Sequence, residues 1–198
     1  MGLDFDQLDG QTPLDEDEKE GLLIPTIAAR NELDEFEQQN IEQTFLWLKG
    51  RRLKTDTILT EKFIRTLHKR MYGKVWKWAG EFRKTDKNIG VEKWKIPIEL
   101  RSLLDDAKFW IDHHIYGPDE IAIRFKYRLV TIHCFPNGNG RHSRLMADII
   151  IEKIFGLQVF TWGARNLTKQ GDSRHDYLAA IKAADHGDIK PLIKFARS

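Results

Sequence analysis

The sequence predicts an all-α helical bundle with one short β-hairpin. Three observations predict it. Apolar residues recur at helical spacing in seven segments, the connections between them are short, and only Phe82–Ile96 breaks the period. Leu33, Phe36, Ile41, Thr44 and Leu48 share the first face, and Gly50 ends it. Thr60 reads as an N-cap for a helix with Phe63, Ile64, Leu67, His68 and Met71 inward, closed by Gly73. The Trp76, Trp78, Ala79, Gly80 stretch reads as packed core or a helix end. The Lys-rich run Phe82–Ile96, with Asn88 and Gly90 and patchy alternation, reads as the hairpin. Pro97 suits a first helical turn, followed by the stripe Leu100, Leu103, Leu104, Ala107 and Ile111. A helix from about Asp119 turns Ala122, Phe125, Leu129 and Ile132 inward. After a short loop, Leu145, Met146, Ile149, Ile150 and Ile154 mark another. Tyr177, Ile181 and Ala184 mark the next, and Ile189, Leu192, Ile193 and Ala196 the last.

The 198 residues suit one domain with a small extension, large enough for a core without covalent staples. A single cysteine, Cys134, excludes an internal disulfide framework and reads as a small buried hydrophobe. No apolar run approaches membrane-spanning length, and the start lacks the basic-then-apolar order of a signal peptide, so a soluble cytoplasmic protein is expected. Residues 1–20 carry eight acids against Lys19, a balance of −7, which leaves +9 on the rest of a chain whose net charge is +2. The division expected is an acidic extension over 1–29 and a basic folded body over 30–198. Such a body points to an anionic ligand, nucleotide or nucleic acid. The basic residues do not gather on one helix and no nucleic-acid-binding motif stands out, which argues against nucleic acid.

The chemistry concentrates in the loop His133-Cys134-Phe135-Pro136-Asn137-Gly138-Asn139-Gly140-Arg141-His142-Ser143-Arg144, between two strongly periodic helices. Gly138 and Gly140 allow positive φ or close approach of a ligand to the backbone. Successive N–H groups in such a turn make an anion-binding nest, reinforced by the next helix's N-terminus. Arg141 and Arg144, three apart, project from one face and suit phosphate oxygens. Cations at a helix start oppose its dipole, a cost that a bound anion offsets. His133 beside this cradle is placed to take a proton from an attacking hydroxyl.

This loop resembles the Fic motif, His-x-Phe-x-(Asp or Glu)-Gly-Asn-Gly-Arg-x-x-Arg. Val75-Trp76-Lys77-Trp78-Ala79-Gly80-Glu81-Phe82-Arg83 resembles the lead-in to that family's flap hairpin, and residues 30–196 resemble the mobile mystery protein B subgroup. The resemblance implies a Fic-like catalytic domain over 30–198. It implies transfer of AMP, or another nucleoside monophosphate, from a triphosphate such as ATP to a Tyr, Ser or Thr hydroxyl of a target protein, with pyrophosphate leaving with Mg²⁺. His133 would be the base, and Phe135 would anchor the loop. Gly138, Asn139 and Gly140 would cradle the transferred phosphate. Arg141 would meet the β/γ-phosphates, and Arg144 the γ-phosphate or an inhibitory glutamate. The target would lie along the Phe82–Ile96 flap by strand addition.

Two positions depart from the family. Asn137 stands where a carboxylate would hold Mg²⁺, and an amide oxygen is a weaker ligand for a hard cation, so Asn137 is the one candidate metal ligand and Mn²⁺ an alternative metal. Asn also occurs there in Doc-like phosphotransferases, which resemble a Lys in place of Gly140; Gly140 therefore favours nucleotidyl transfer. The alternatives are a Doc-like phosphotransferase, a catalytically weak nucleotide-binding regulator and, further off, a nucleic-acid-binding module. The family's inhibitory (Ser or Thr)-x-x-x-Glu-(Gly or Asn) segment has no match: Thr26-Ile27-Ala28-Ala29-Arg30-Asn31 places Arg30 where the glutamate belongs. Inhibition would then come from a partner protein or from Glu32, Glu35 or Glu37 reaching Arg144, although acids on a helix are ordinarily solvated. His113 and His114 lack the further ligands of a closed metal site, and His68 reads as core.

Overall fold

The computed structural model describes residues 19–27, 29–163 and 170–198. Among them the helices are α1 (Arg30–Leu48), α2 (Thr55–Ile58), α3 (Glu61–Tyr72), α4 (Ile96–Asp112), α5 (Pro118–Ile132), α6 (Asn139–Ile149), α7 (Gln170–Asp185) and α8 (Lys190–Arg197). α6 runs on into a wider π turn, Ile150–Ile154. No strand forms among the described residues, and the all-α reading holds. α5 and α6 pack along each other at the centre, α1 lies on α3, α4 on α5, and α7 on α8.

Local chemistry explains the boundaries. The Thr60 hydroxyl accepts the Phe63 N–H at 3.1 Å and starts α3, and Gly73 closes it. Pro97 and Pro118 sit in the first turns of α4 and α5, where no N–H partner is lost. The stripes read from the sequence enter one core: Leu67, Leu103, Ala122, Phe125, Met146 and Ile150 are fully buried.

α1 departs from its sequence reading by a small rotation. Leu33, Ile41, Thr44 and Leu48 are buried as expected, but Phe36 is 40% exposed while Glu37 and Asn40 point inward. The rotation follows from the partners available inside, since the buried Glu37 carboxylate is satisfied by a tryptophan and an arginine.

The expected hairpin over Phe82–Ile96 is not formed. The segment is a string of bends ending in a 3₁₀ turn at Lys93–Lys95. Arg83 supplies the reason. Its side chain is buried between the two limbs, where Nη1 donates to the Thr85 carbonyl at 2.8 Å and Nη2 to the Val91 carbonyl. The guanidinium thus occupies the space that cross-strand bonds would use. The limbs bond outward instead: Arg83 N–H to the Cys134 carbonyl at 3.0 Å, and Val91 N–H to the Ile132 carbonyl at 3.4 Å. The flap is therefore a bent strap fastened to the motif loop.

Residues 19–27 are attached to this body. Leu22 bridges to Trp76, Leu23 N–H bonds the Val75 carbonyl at 2.8 Å, and Lys77 N–H bonds the Gly21 carbonyl at 2.8 Å. No helix among the described residues is long and apolar enough to cross a membrane.

Candidate active site

The site begins where α5 stops. His133 is its C-cap, in the left-handed region at φ 56° and ψ 60°, so the chain turns sharply and enters the motif loop. The side chain is nearly buried, at 4% exposure. Burial, with the positive charges of Arg83 and Lys87, pushes the imidazole pKa down to about 4, against a hydrogen bond to the Val130 carbonyl that works the other way. The ring is therefore neutral at pH 7. Donating one N–H to Val130 leaves the second nitrogen with a lone pair, the state of a proton acceptor.

The strap presses on this histidine. Arg83 Nε donates to the His133 carbonyl at 2.7 Å. Gly90 lies against the side chain at φ 94°, where a Cβ would come within 2.6 Å of the His133 Cβ. Only glycine fits there.

The loop itself is closed by its own side chains. Asn139 Oδ1 accepts the Phe135 N–H at 3.0 Å, and Asn139 Nδ2 donates to the Phe135 carbonyl at 2.8 Å. The Asn139 amide is thus committed to holding the loop, and only its backbone N–H remains for a ligand. Phe135 is fully buried and stacks on His68 at 3.7 Å. The His68 Nδ1 accepts the Gly80 N–H at 3.0 Å, so its Nε2 carries the proton and donates to the Asn137 carbonyl at 3.0 Å. His68, expected only to fill the core, therefore clamps the loop to the lead-in of the strap. Asn137 Oδ1 accepts the Gly138 N–H at 2.6 Å, the bond of a turn-forming side chain. Gly138 has φ 77° and lies so close to Tyr72 that a Cβ would sit 2.6 Å from the ring.

α6 begins at Asn139, so the N–H groups of Asn139, Gly140 and Arg141 have no carbonyl one turn earlier in the helix. A Cβ on Gly140 would meet nothing within 4 Å, which leaves open space over the helix start. The two arginines lean apart. Arg141 lies over the Tyr72 ring at 5.2 Å and bonds Glu37 Oε2 at 2.5 Å, while Trp76 Nε1 donates to Glu37 Oε1 at 2.7 Å. Arg144 lies over the Tyr177 ring at 5.7 Å. The structure thus gathers His133, Gly138, Asn139, Gly140, Arg141 and Arg144 on one turn and the first coils of one helix. Of the three acids weighed in the sequence, Glu37 is the one that reaches the motif, and it meets Arg141, not Arg144. Glu32 caps α1, accepting the Ala29 N–H at 3.2 Å.

Sequence reasoning missed Lys126. It is fully buried on α5, donates to the Tyr177 hydroxyl at 2.6 Å, and its pKa is pushed well down by burial and by Arg144. Its signal was present: position 126 falls four after Ala122 and three before Leu129, on the apolar stripe.

Among the described residues, these groups do not fit a resident metal site. No group of three or more His, Cys, Asp or Glu gathers for a metal among the described residues. The loop offers no carboxylate, and the Asn137 oxygen already accepts a backbone N–H.

The buried histidines fix a pH dependence of stability. Burial lowers His142 to about 4, as it does His133, and holds His68 well below its ordinary value. Unfolded, each titrates near ~6.5, so below that pH the unfolded chain binds more protons. Asp148, raised to about 6 by burial, acts in the opposite sense. Denaturant melts should show stability falling as the pH drops below ~6.5, by up to ~3 kcal/mol per pH unit near pH 5. Stability that is flat from about pH 7 to 5 would contradict the neutral, buried assignment.

With this geometry in place, likeness to known proteins is informative. Residues 58–151 match the model of the Fic/DOC family. Among curated relatives, a protein named protein adenylyltransferase Fic from Nematostella vectensis is 26% identical over 173 residues, covering 85% of this chain and 39% of the relative. The protein of the same name from Aedes aegypti is 30% identical over 141 residues, 69% of this chain and 27% of the relative. The chain thus spans well under half the length of these relatives. Among solved structures, Fic-1 (residues 134–508) from C. elegans superposes with a TM-score of 0.69 at 22% identity, over 90% of this chain and 51% of that one. BepC from Bartonella tribocorum with bound AMPPNP superposes with a TM-score of 0.68 at 16% identity, over 92% and 97%. These likenesses show that the fold is shared.

Proposed function

The chain belongs to the Fic/DOC family, and on that premise we propose that it transfers AMP from ATP to a Tyr, Ser or Thr hydroxyl of a target protein. The observation that carries the proposal is the joining of a neutral His133, through one five-residue turn, to three helix-start N–H groups that bond no carbonyl among the described residues. The N–H groups and Arg141 bind phosphate oxygens; Gly140 leaves room for a triphosphate. The target's hydroxyl oxygen attacks the α-phosphorus, its proton passes to His133, and the bond to the β-phosphate oxygen breaks to release pyrophosphate. A base with a pKa near 4 is weak, but the negative charge of bound ATP raises it toward neutrality. Any Mg²⁺ enters with the triphosphate as its counter-ion. The target docks against the strap beside Gly90, where Ile89 and Trp94 are 47% and 64% exposed.

Incubation with ATP and candidate targets, followed by peptide mass spectrometry, tests the reading. An AMP adduct on a hydroxyl side chain is expected; a bare phosphate adduct would assign the chain to phosphotransfer instead.

In this reading Glu37 competes with nucleotide for Arg141. Glu37→Gln keeps an acceptor for Trp76 and removes the charge. Calorimetry should show ATP binding about tenfold tighter, a gain of ~1.4 kcal/mol. A folded Gln variant with unchanged or weaker ATP binding would make the contact purely architectural.

A further inference from the structure

A pocket of about 240 Å³ opens between α1 and the end of α3, lined by Asn40 and Gln43 on one side and by Lys69, Arg70 and Lys74 on the other. No carboxylate lines it, and none of its lining residues belongs to the motif loop. Its charged groups are donors only. Arg70 lies over the Trp47 ring at 4.1 Å, a contact that positions the guanidinium without using its N–H groups. Neither Lys69 nor Arg70 has an ion pair with another described residue. Lys74 Nζ donates to Gln43 Oε1, which holds it beside the pocket with two further protons to give. The C-terminus of α3 brings about half a negative charge to this place, which suits one basic residue there but not three.

Asn40 is the second, independent sign of a ligand. It is 4% exposed, and its Nδ2 has no hydrogen-bond partner among the described residues. The nearby Thr44 hydroxyl supplies none, because it donates to the Asn40 carbonyl at 2.9 Å. A buried amide donor without an acceptor is destabilising, and a leucine of similar size would fill the same place without that defect. A half-turn about the Cβ–Cγ bond exchanges the two ends of the amide, so the N–H can be presented to the pocket. An uncharged donor and three cations around one space ask for a single small acceptor of high negative charge. We infer that this pocket binds a phosphate dianion, free or as the phosphate of a small monoester, with Asn40 Nδ2 donating to one oxygen and Lys69, Arg70 and Lys74 neutralising the charge. Three cations favour a doubly charged oxyanion over a carboxylate. Glu37, which holds Arg141, lies one turn before Asn40 on α1, yet the inference stands whether or not the loop transfers AMP.

The test titrates the nitrogen-15-labelled full chain with inorganic phosphate and, in parallel, with glycerol 3-phosphate, at constant ionic strength. The Asn40 side-chain amide signal and the backbone signals of residues 43, 69, 70 and 74 should move and saturate, with a Kd of about 1–10 mM. Signals of residues 138–141 report the motif loop, so binding there is fitted separately. The tighter of the two probes identifies the ligand as free or esterified phosphate. Asn40→Leu keeps all three cations and should weaken binding at the pocket about tenfold, the scale of one hydrogen bond to a charged group. The exposed pair Lys69→Gln, Arg70→Gln, whose dispersed signals elsewhere report that it is folded, should weaken it by at least as much. Acetate at the same concentrations should leave these signals in place. No saturable shift with either probe overturns the inference, as does an equal response to acetate. Unchanged binding in the folded Asn40→Leu variant or in the exposed pair also overturns it, since the anion is then only part of a diffuse cloud over a basic surface.

Discussion

His133→Ala should lower transfer by at least about a hundredfold while changing ATP affinity by no more than about twofold. In the proposed reaction the phosphates meet backbone N–H groups and arginines, whereas the imidazole acts on the incoming hydroxyl. The division has a structural basis. Asn139 closes the loop onto Phe135, and His68 pins it through Asn137, so the nest does not depend on the His133 ring. The carbonyl of residue 133 still accepts Arg83 Nε in the alanine variant, which keeps the strap fastened. Transfer rates and calorimetry on the same preparations check both halves. Near wild-type transfer would remove His133 as the base; loss of ATP binding would show that the ring shapes the nest.

Arg141→Ala should weaken ATP binding by about ten- to a hundredfold, the scale of a charge-assisted bond worth ~1.5–3 kcal/mol, and leave AMP binding within about twofold. The same change strands a carboxylate. Glu37 is 5% exposed and would keep only the Trp76 N–H, so stability should fall by ~3 kcal/mol. Adding Glu37→Gln should recover most of that stability without recovering ATP affinity. Equal losses for ATP and AMP would place Arg141 elsewhere than the β/γ end.

The sequence carried the helices and the loop for one reason: a 3.6-residue period and a run of special backbone residues are local signals. The unread parts depend on side chains that meet from distant positions. Arg83 looked like one more basic residue in a Lys-rich run, yet its guanidinium fills the strap and replaces hairpin pairing with bonds to Thr85 and Val91. Glu37 looked like a solvated helix charge; its partners Trp76 and Arg141 lie 39 and 104 residues away. That the Asn139 side-chain amide closes the turn onto both backbone groups of Phe135 was not read either. Lys126 could have been found, because a lysine on an apolar stripe is a local anomaly even when its partner, Tyr177, is not local.

The central claim is that the α-phosphorus, with its nucleoside, is what moves. It is tested most directly by supplying ATP labelled on the α-phosphate or on the γ-phosphate in parallel, with candidate target proteins and the wild-type chain. The account predicts protein-bound label from α-labelled ATP, none from γ-labelled ATP, and loss of the α signal with His133→Ala. Label arriving from the γ-phosphate and not from the α-phosphate would contradict it and make the chain a phosphotransferase.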